Sequence, residues 1–560
     1  MKKIFVILLG AAVTVSAAAQ DWQDARFFSE NNYLGTARTL GMGNAVTAIG
    51  GDPGSLTFNP AGAAVAGYTQ FVISPGFTIS TTQASGVVPG GSSRAVGLGD
   101  AVNTTYGRFA IPNVGVIFSF DSGRRSGWKR TTFGFLLNST NNYTGRVNAT
   151  GINEENSYAA SLASSAEGYT EQVLGSEDWW YDGSDLSRMP KWIDMVGYRS
   201  GMFNGVPGTS NWYQAVTELR DASGEFFLAA PIMQRYGQQT TGSKNDIIFN
   251  FATNYDDKFY IGVNLGISTI NYGLTEYFQE LPENADDFPE IVYTDGTRAR
   301  FSSLQMKHSY SLRGTGVYGK LGLLWRPVGG LRLGAAIQTP SITSFVARQA
   351  YSGEVKLTGK SLVPSTSPED SWTFRMTQPL RLNLGAAYSI GSFAVISADY
   401  EMVNYGSIRY RGANGAATPS YLEDANVDIK DALGFAHQVR VGGEFKPMPA
   451  LSIRVGYNYV TYGQKNWLEE DWSVTPLTAQ EKAALAKHNV SFGAGYAFGS
   501  IFLDAAVRFR FMPKEYIVPY YYYDYSNSYT DKFIDTGTLT PEVGMKSTLA
   551  DIVLTAGWRF

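Results

Sequence analysis

His437–Tyr459 reads HQVRVGGEFKPMPALSIRVGYNY. Side chains of an extended strand point alternately to its two faces. Val439, Val441, Gly443 and Phe445 therefore share one face, and Gln438, Arg440, Gly442, Glu444 and Lys446 share the other. Pro447-Met448-Pro449 supplies a tight connection. Leu451, Ile453, Val455, Tyr457 and Tyr459 then alternate with Ser452, Arg454, Gly456 and Asn458. This is a β-hairpin with one apolar face and one polar, charged face. A soluble sandwich shows the same alternation. The recurrence of the pattern, and the arrangement of the connections, separate the two cases.

Working outward, about fourteen segments carry the strand pattern: 68–80, 113–121, 131–147, 244–255, 258–272, 311–326, 331–340, 372–390, 392–410, 435–447, 450–462, 487–499, 501–512 and 549–560. Every second connection is short, as in Tyr255-Asp256-Asp257-Lys258, Ile390-Gly391-Ser392 and Phe498-Gly499-Ser500. The alternate ones are long: 273–310, 411–434, 463–486 and 513–548. Short turns at one end and long loops at the other mark a bacterial outer-membrane barrel. The reading is all-β: a monomeric transmembrane antiparallel β-barrel of about fourteen strands in the outer membrane of a Gram-negative cell. A charge on the lipid face costs roughly 2–4 kcal/mol at the midplane. The charges that alternate with apolar residues are thus assigned to the lumen: Lys320, Arg381, Asp399, Glu401, Arg440, Glu444, Arg454, Asp504, Arg508 and Arg510. In the last strand Ile552, Leu554, Ala556, Trp558 and Phe560 face lipid, opposite Asp551, Thr555 and Arg559.

Composition agrees. The chain has 560 residues, too long for one ordinary soluble core, with only 17% charged residues and 34 Tyr, 32 Phe and 61 Gly. Net charge is −4, so nothing points to nucleic acid. Cysteine is absent, which excludes disulfides, thiolate metal sites and a lipid-anchoring Cys. Lys2 and Lys3, the apolar run Ile4–Val15 and Ala17-Ala18-Ala19 read as a signal peptide over 1–19. The apolar run is short for a membrane span. Residues 20–67 are not strand-like and are dominated by small residues; they can fold compactly only against something else. The insertion at about 148–243 reads as an ordered extracellular cap, with mildly helical composition at Asn156–Glu171 and Asn211–Asp221. Residues 68–560 then form the barrel.

Two regions resemble the FadL/TodX family of outer-membrane hydrophobic-compound transporters. One is the N-terminal run Gly41-Met42-Gly43, Asp52 and Asn59-Pro60-Ala61-Gly62. The other is the strand grammar of Lys320-Leu321-Gly322 to Trp325-Arg326-Pro327, Leu331-Arg332-Leu333-Gly334, Thr339-Pro340, Ala398-Asp399-Tyr400 and Arg454-Val455-Gly456-Tyr457. The resemblance covers nearly the whole mature chain. It implies a lumen closed by a hatch whose motif is Asn59, Pro60, Ala61 and Gly62. It further implies passive uptake of long-chain fatty acids, aromatic hydrocarbons or similar molecules, with no reaction and no cofactor. The insertion departs from the common pattern, and no ligand-binding basic residue carries over. Some relatives act in protein secretion as docking or shuttle components, which is the alternative function.

Other chemistry is weak. Gly314-Thr315-Gly316-Val317-Tyr318-Gly319-Lys320 nearly matches a phosphate loop, but Leu321 replaces the required Ser or Thr and no helix follows. Glycines opposite large neighbours explain it better. His308, His437 and His488 are scattered, with no metal or hydrolase motif. A hydrolase assembled in space is the least favoured reading. The lumen charges could select ions, as in a porin. Cross-strand bracing that also ties down the hatch is the preferred account. Tyr520-Tyr521-Tyr522-Tyr523-Asp524-Tyr525 reads equally as a ligand-capturing collar or an interfacial girdle.

Overall fold

The computed structural model describes residues 20–86, 97–180, 190–209, 211–292, 296–468, 473–520 and 541–560. The signal peptide and Tyr521–Tyr525 lie outside the described residues. Fourteen antiparallel strands form one closed ring. They are β1 (Gln70–Gly86), β2 (Val102–Asp121), β3 (Trp128–Asn142), β4 (Ile232–Tyr255), β5 (Phe259–Pro282), β6 (Arg298–Trp325), β7 (Leu331–Gln338 and Ser341–Thr358) and β8 (Asp370–Gln378 and Arg381–Ile390). The ring continues with β9 (Ala394–Asn404 and Arg409–Gly412), β10 (Phe435–Met448), β11 (Leu451–Val460), β12 (Lys487–Phe498), β13 (Ile501–Phe511) and β14 (Val543–Arg559). β14 pairs with β1 from Gln70↔Arg559 to Gly86↔Val543, and the Phe560 amide donates to Thr69 O. The ring closes, the condition for a sheet to cross a bilayer, although Val102–Pro112 of β2 is paired on its β1 side alone.

The strand faces sort by chemistry. Val439, Val441, Phe445, Ile453, Val455, Leu503 and Leu554 are exposed on the outside, while all ten charged residues assigned to the lumen are buried inside. The short-turn end carries an aromatic girdle: Trp128 on Tyr255 at 5.1 Å, Phe259 on Trp325 at 6.2 Å and Trp558 on Phe560 at 4.6 Å between centroids. Such side chains favour the membrane–water interface. An outer face of this kind, on a closed sheet, makes the chain a membrane-spanning β-barrel.

Several strands run past the membrane. β5 has 24 residues and β6 has 28, whereas about 9–11 suffice to span. The connection expected over 273–310 is thus mostly strand, and only 283–297 links β5 to β6. The insertion likewise ends earlier than the expected 243, because 232–243 belongs to β4. Gly242 and the polar run Gln238-Gln239-Thr240-Thr241 give that part of the strand no apolar alternation. Inside the insertion, Gly145–Asn153 pairs with β4. Helices α3 (Tyr158–Ser165), α4 (Glu171–Gly175) and α5 (Trp192–Ser200) pack their apolar faces on Phe278, Phe301, Leu304, Met306 and Val355 of the extended strands. Asn211–Asp221 is a correction: it holds strands Tyr213–Ala215 and Glu218–Arg220 and no helix. Tyr520 is buried in this cap core, against Tyr158 and Phe278, and so is no surface collar.

Residues 20–67 lie within the ring. They form α1 (Trp22–Ser29), α2 (Ala37–Gly41) and two 3₁₀ turns, Pro53–Thr57 and Pro60–Val65. A further helix, α6 (Ser420–Ala432), covers the lumen from the β9–β10 loop.

Candidate functional site

The second 3₁₀ turn begins at Asn59-Pro60. Pro60 at its first position fixes φ and needs no hydrogen bond for a missing N–H. Asn59 caps the turn: Oδ1 accepts from the Ala61 amide at 3.0 Å. Its Nδ2 donates to Thr47 O within the plug at 2.8 Å and to Leu323 O of β6 at 3.0 Å. One side chain thus ties the turn to itself, to the neighbouring plug segment and to the wall. Asn250 of β4 donates to Pro60 O at 3.0 Å. Gly262 and Gly322 allow this approach: a Cβ on Gly262 would lie 2.4 Å from Pro60 C, and one on Gly322 2.1 Å from Asn59 Oδ1. Ala61 and Gly62 are buried, and a Cβ on Gly62 would meet Ser55 Oγ at 2.9 Å.

The wall arginines sit on the strands around this plug. Arg381 donates to Glu401 at 2.9 Å and to Ser29 O at the end of α1. Arg440 pairs with the other oxygen of Glu401 and lies 5.0 Å over the Phe58 ring of the plug. Arg454 bridges Glu444 at 2.7 Å and Asp504 at 2.6 Å, and Glu444 also receives Arg38 of α2 at 3.1 Å. Arg508 and Arg510 both reach Asp551 at 2.8 Å, and Arg508 donates to Tyr33 O at 2.9 Å. Every one of these guanidiniums is paired with a carboxylate, and Arg381, Arg440 and Arg508 also touch the plug directly. Buried charges held this way are costly to orphan, so the network fixes plug position. No open ring of unpaired charge lines the lumen at these residues. Two further clamps leave no mark in the sequence: Lys320, on the lumen face of β6, donates to Thr57 O at 2.7 Å, and Lys244 donates to Phe28 O at 3.2 Å.

Above the plug the lumen is aromatic. Asp21 caps α1 by accepting from the Asp24 amide, and the helix inserts Phe27 and Phe28 among Tyr143, Tyr272 and Phe345. Phe374, Tyr410, Leu422 and Ile429 extend this compartment. Ala25 and Phe28 of α1 are part of it.

Beside this compartment the wall is open. β1 and β2 shift register between Ser74 and Gly76, where Pro75 and Pro112 both lack an N–H. β2 pairs with β3 only from Asn113↔Asn138 onward, so Val102–Pro112 has a partner on the β1 side alone. A cavity of about 280 Å³ lies at the break. It is lined inside by Leu34 of the plug and Asp551, and outside by Phe77, Phe109 and Ile111. Leu34 is 6% exposed and Phe109 is 64% exposed, so the lining passes from lumen to lipid. Two groups bridge the break in place of a ladder. Arg108 of β2 donates to Asn142 Oδ1 and Thr144 Oγ1, both at 2.8 Å. The plug amides of Asn32 and Leu34 donate to Thr140 O and Ser139 O of β3. Carbonyls that a neighbouring strand would otherwise satisfy are thus satisfied by the plug.

Among the described residues there is no group of three His, Cys, Asp or Glu able to hold a metal, and no helix long and apolar enough to cross a membrane. Gly314–Lys320 lies inside β6, where Phe345 fills the space beside Gly314.

No family model matches the chain, and no curated protein sequence matches it. Solved structures do. A FadL homologue from Pseudomonas aeruginosa aligns at 12% identity and TM-score 0.49, over 94% of this chain and 99% of its own. The toluene transporter TodX of Pseudomonas putida aligns at 14% identity and TM-score 0.46, over 95% and 99%. The Ralstonia pickettii toluene transporter TbuX aligns at 13% identity and TM-score 0.42, over 95% and 100%.

Proposed function

We propose that the protein is an outer-membrane channel for passive uptake of hydrophobic small molecules, of the fatty-acid or aromatic-hydrocarbon kind. The observation that carries this reading is the wall break at Pro75 and Pro112, lined from Leu34 to Phe109 and adjoining an aromatic compartment. A water-filled pore for polar solutes needs neither an aromatic lumen nor a lipid-side opening. A hydrophobic solute gains from both, since each step replaces water by apolar surface. In this reading the solute enters between the cap and α1, displaces Phe27 and Phe28, and leaves sideways past Leu34 into the bilayer. The polar, charge-paired lower plug bars the straight route. No bond is made or broken, so the chemistry is binding and release alone. Residues 20–67 act as the hatch.

The test is uptake of a fluorescent long-chain fatty acid and of toluene by cells displaying folded variants. Ser139→Trp, which adds bulk to the break, is expected to reduce uptake. Arg108→Ala, which removes the side-chain bridge, is expected to raise it. Unchanged uptake in both variants, with normal heat-modifiable folding, would sink the lateral route.

A further inference from the structure

The outer face carries a feature that uptake does not use. On β6 to β9 five arginines project outward at neighbouring positions: Arg313, Arg348, Arg375, Arg409 and Arg411. Their inward neighbours Leu312, Ala347, Phe374, Met376 and Tyr410 are buried, which fixes the arginines on the outer side. The register groups them. Arg375 stands directly opposite Arg411. Ser344 is opposite Arg375, Arg348 is opposite both Ser311 and Ser371, and Arg313 is opposite Val346.

Like charges directly opposite each other in a sheet are destabilising. The side chains of Arg375, Arg411 and Arg313 make no hydrogen bond or ion pair with another described residue. Local compensation is slight. Arg348 meets Glu369 at 3.3 Å with both side chains more than half exposed, and Arg409 donates to the backbone carbonyls of Gly406 and Ile408. A recess of about 210 Å³ in the outer wall lies beside Arg348, lined by Gly273, Ser309, Ser311 and the Glu369 carboxylate.

The height of the cluster tells what it meets. Arg313 lies twelve residues (325 − 313) from Trp325, the girdle residue at the other end of β6. At about 3.3 Å per residue and a tilt of about 40°, that places it about 30 Å above the girdle, roughly the thickness of the hydrocarbon core. The guanidiniums therefore sit at the headgroup level on the long-loop side. Below them Val317 and Ile342 continue as apolar wall, and Val346 lies level with Arg313. Arginine presents a planar fork of donors that matches phosphate oxygens in pairs, and clustered basic side chains at this depth attract anionic headgroups.

We propose that this patch on β6–β9 is a binding site for the phosphate groups of a lipid headgroup in the outer leaflet, with the lipid's acyl chains lying along Val317 and Ile342. The bound phosphate bridges Arg375 and Arg411 and relieves their repulsion. The inference rests on the barrel reading and is independent of what the lumen carries.

The test is native mass spectrometry of the full chain in neutral maltoside detergent, titrated with diphosphoryl lipid A, with phosphatidylcholine and with inorganic phosphate. The wild type is expected to retain diphosphoryl lipid A over phosphatidylcholine. Arg375→Gln with Arg411→Gln is expected to lower that retention on the order of tenfold. Lys546→Gln, on the outer face of β14, is expected to leave it unchanged. The double variant should also melt higher than wild type in lipid-free detergent, because repulsion is gone. Arg313→Gln gives a second reading should the double variant fail to fold. Equal retention by the arginine variants overturns the site. So does equal retention of phosphatidylcholine, or binding of inorganic phosphate with no gain from the lipid. Uptake of a fluorescent fatty acid is expected to be unchanged in all variants, which separates failure of this site from failure of the transport reading.

Discussion

At the scale of single residues, the plug is held by polar atoms with few alternatives. Asn59 makes three hydrogen bonds from one buried amide, to Thr47 O, Leu323 O and the Ala61 amide. Alanine there leaves the buried Thr47 O and the Ala61 N–H without this partner, which costs about 1–3 kcal/mol. That is small beside the pairing of a fourteen-strand ring and large beside a gate equilibrium. Asn59→Ala is therefore expected to assemble normally and to change the passage of a hydrophobic probe, read as fatty-acid uptake alongside mobility on an unboiled gel. A second residue sets a pH response in the cap. Asp194 on α5 is buried, and burial pushes its carboxyl up to about 7, against the opposing pull of Lys191 and the hydrogen bond from Ser165. A carboxyl whose folded value is raised binds its proton more tightly when folded. Its contribution is present below about 4 and is lost as pH rises through about 7. Amide protection over 158–180 and 190–200, taken relative to intrinsic exchange rates at each pH, is expected to be greater at pH 5 than at pH 8, and Asp194→Asn should flatten the difference.

At the scale of elements, the last strand is the one on which closure depends. β14 pairs with β13 on one side and β1 on the other, and Phe560 extends it by the bond to Thr69 O. Trp558 and Phe560 are exposed at 52% and 65%, as a lipid-facing anchor requires. Removing Phe560 is expected to lower the amount of assembled barrel in the membrane fraction while export continues, measured by immunoblot of heat-shifted protein. The strands themselves were legible because period-two alternation is strong wherever one face meets lipid and the other meets charge, as in Val439–Phe445 or Leu382–Tyr388. Their outer halves were not. Above the membrane both faces of β6 meet water or protein, so Arg298–Tyr310 carries Ser303, Gln305, Lys307 and Ser309 on its outer face and no lipid signal. Helix α1 was hidden for a different reason: only eight residues long, it is stabilised by packing Phe28 and Phe27 into a lumen built from strands over a hundred residues away. Its local sign was Asp21 with Asp24, an N-cap pair. The lumen arginines were placed by the cost of charge in lipid. Their partners were not, because pairing across a barrel depends on register, and register is invisible in one strand. The wall break had a legible trace in Pro75 and Pro112, two residues that a central strand excludes.

At the scale of the molecule, the barrel and its plug are separable in energy. The ring is held by backbone ladders that close on themselves. The lumen charges pair largely with one another across strands: Arg381 and Arg440 with Glu401, Arg454 with Glu444 and Asp504, Arg508 and Arg510 with Asp551. Removing residues 21–62 therefore orphans few charges in the wall, and water can enter to solvate Lys320 and Asp399, which lose plug partners. The truncated chain is expected to keep its heat-modifiable mobility and its β-type circular dichroism. In planar bilayers it should open a large, steady conductance that the intact chain lacks. Lysines and arginines lining the emptied lumen nearly equal the carboxylates: Lys244, Lys320, Arg381, Arg440, Arg454, Arg508 and Arg510 against Asp246, Asp399, Glu401, Glu444, Asp504 and Asp551. Selectivity between cations and anions should accordingly be weak, unlike that of a pore lined by one sign of charge. The deletion also removes Asn32 and Leu34, whose amides cap Thr140 O and Ser139 O at the wall break. Uptake of hydrophobic probes should then lose its saturation and follow simple leakage. A truncated barrel that folds, yet conducts no better than the intact chain and takes up probe with unaltered saturation, would show that residues 21–62 do not close the lumen, and the route from aromatic compartment to wall break would lose its gate.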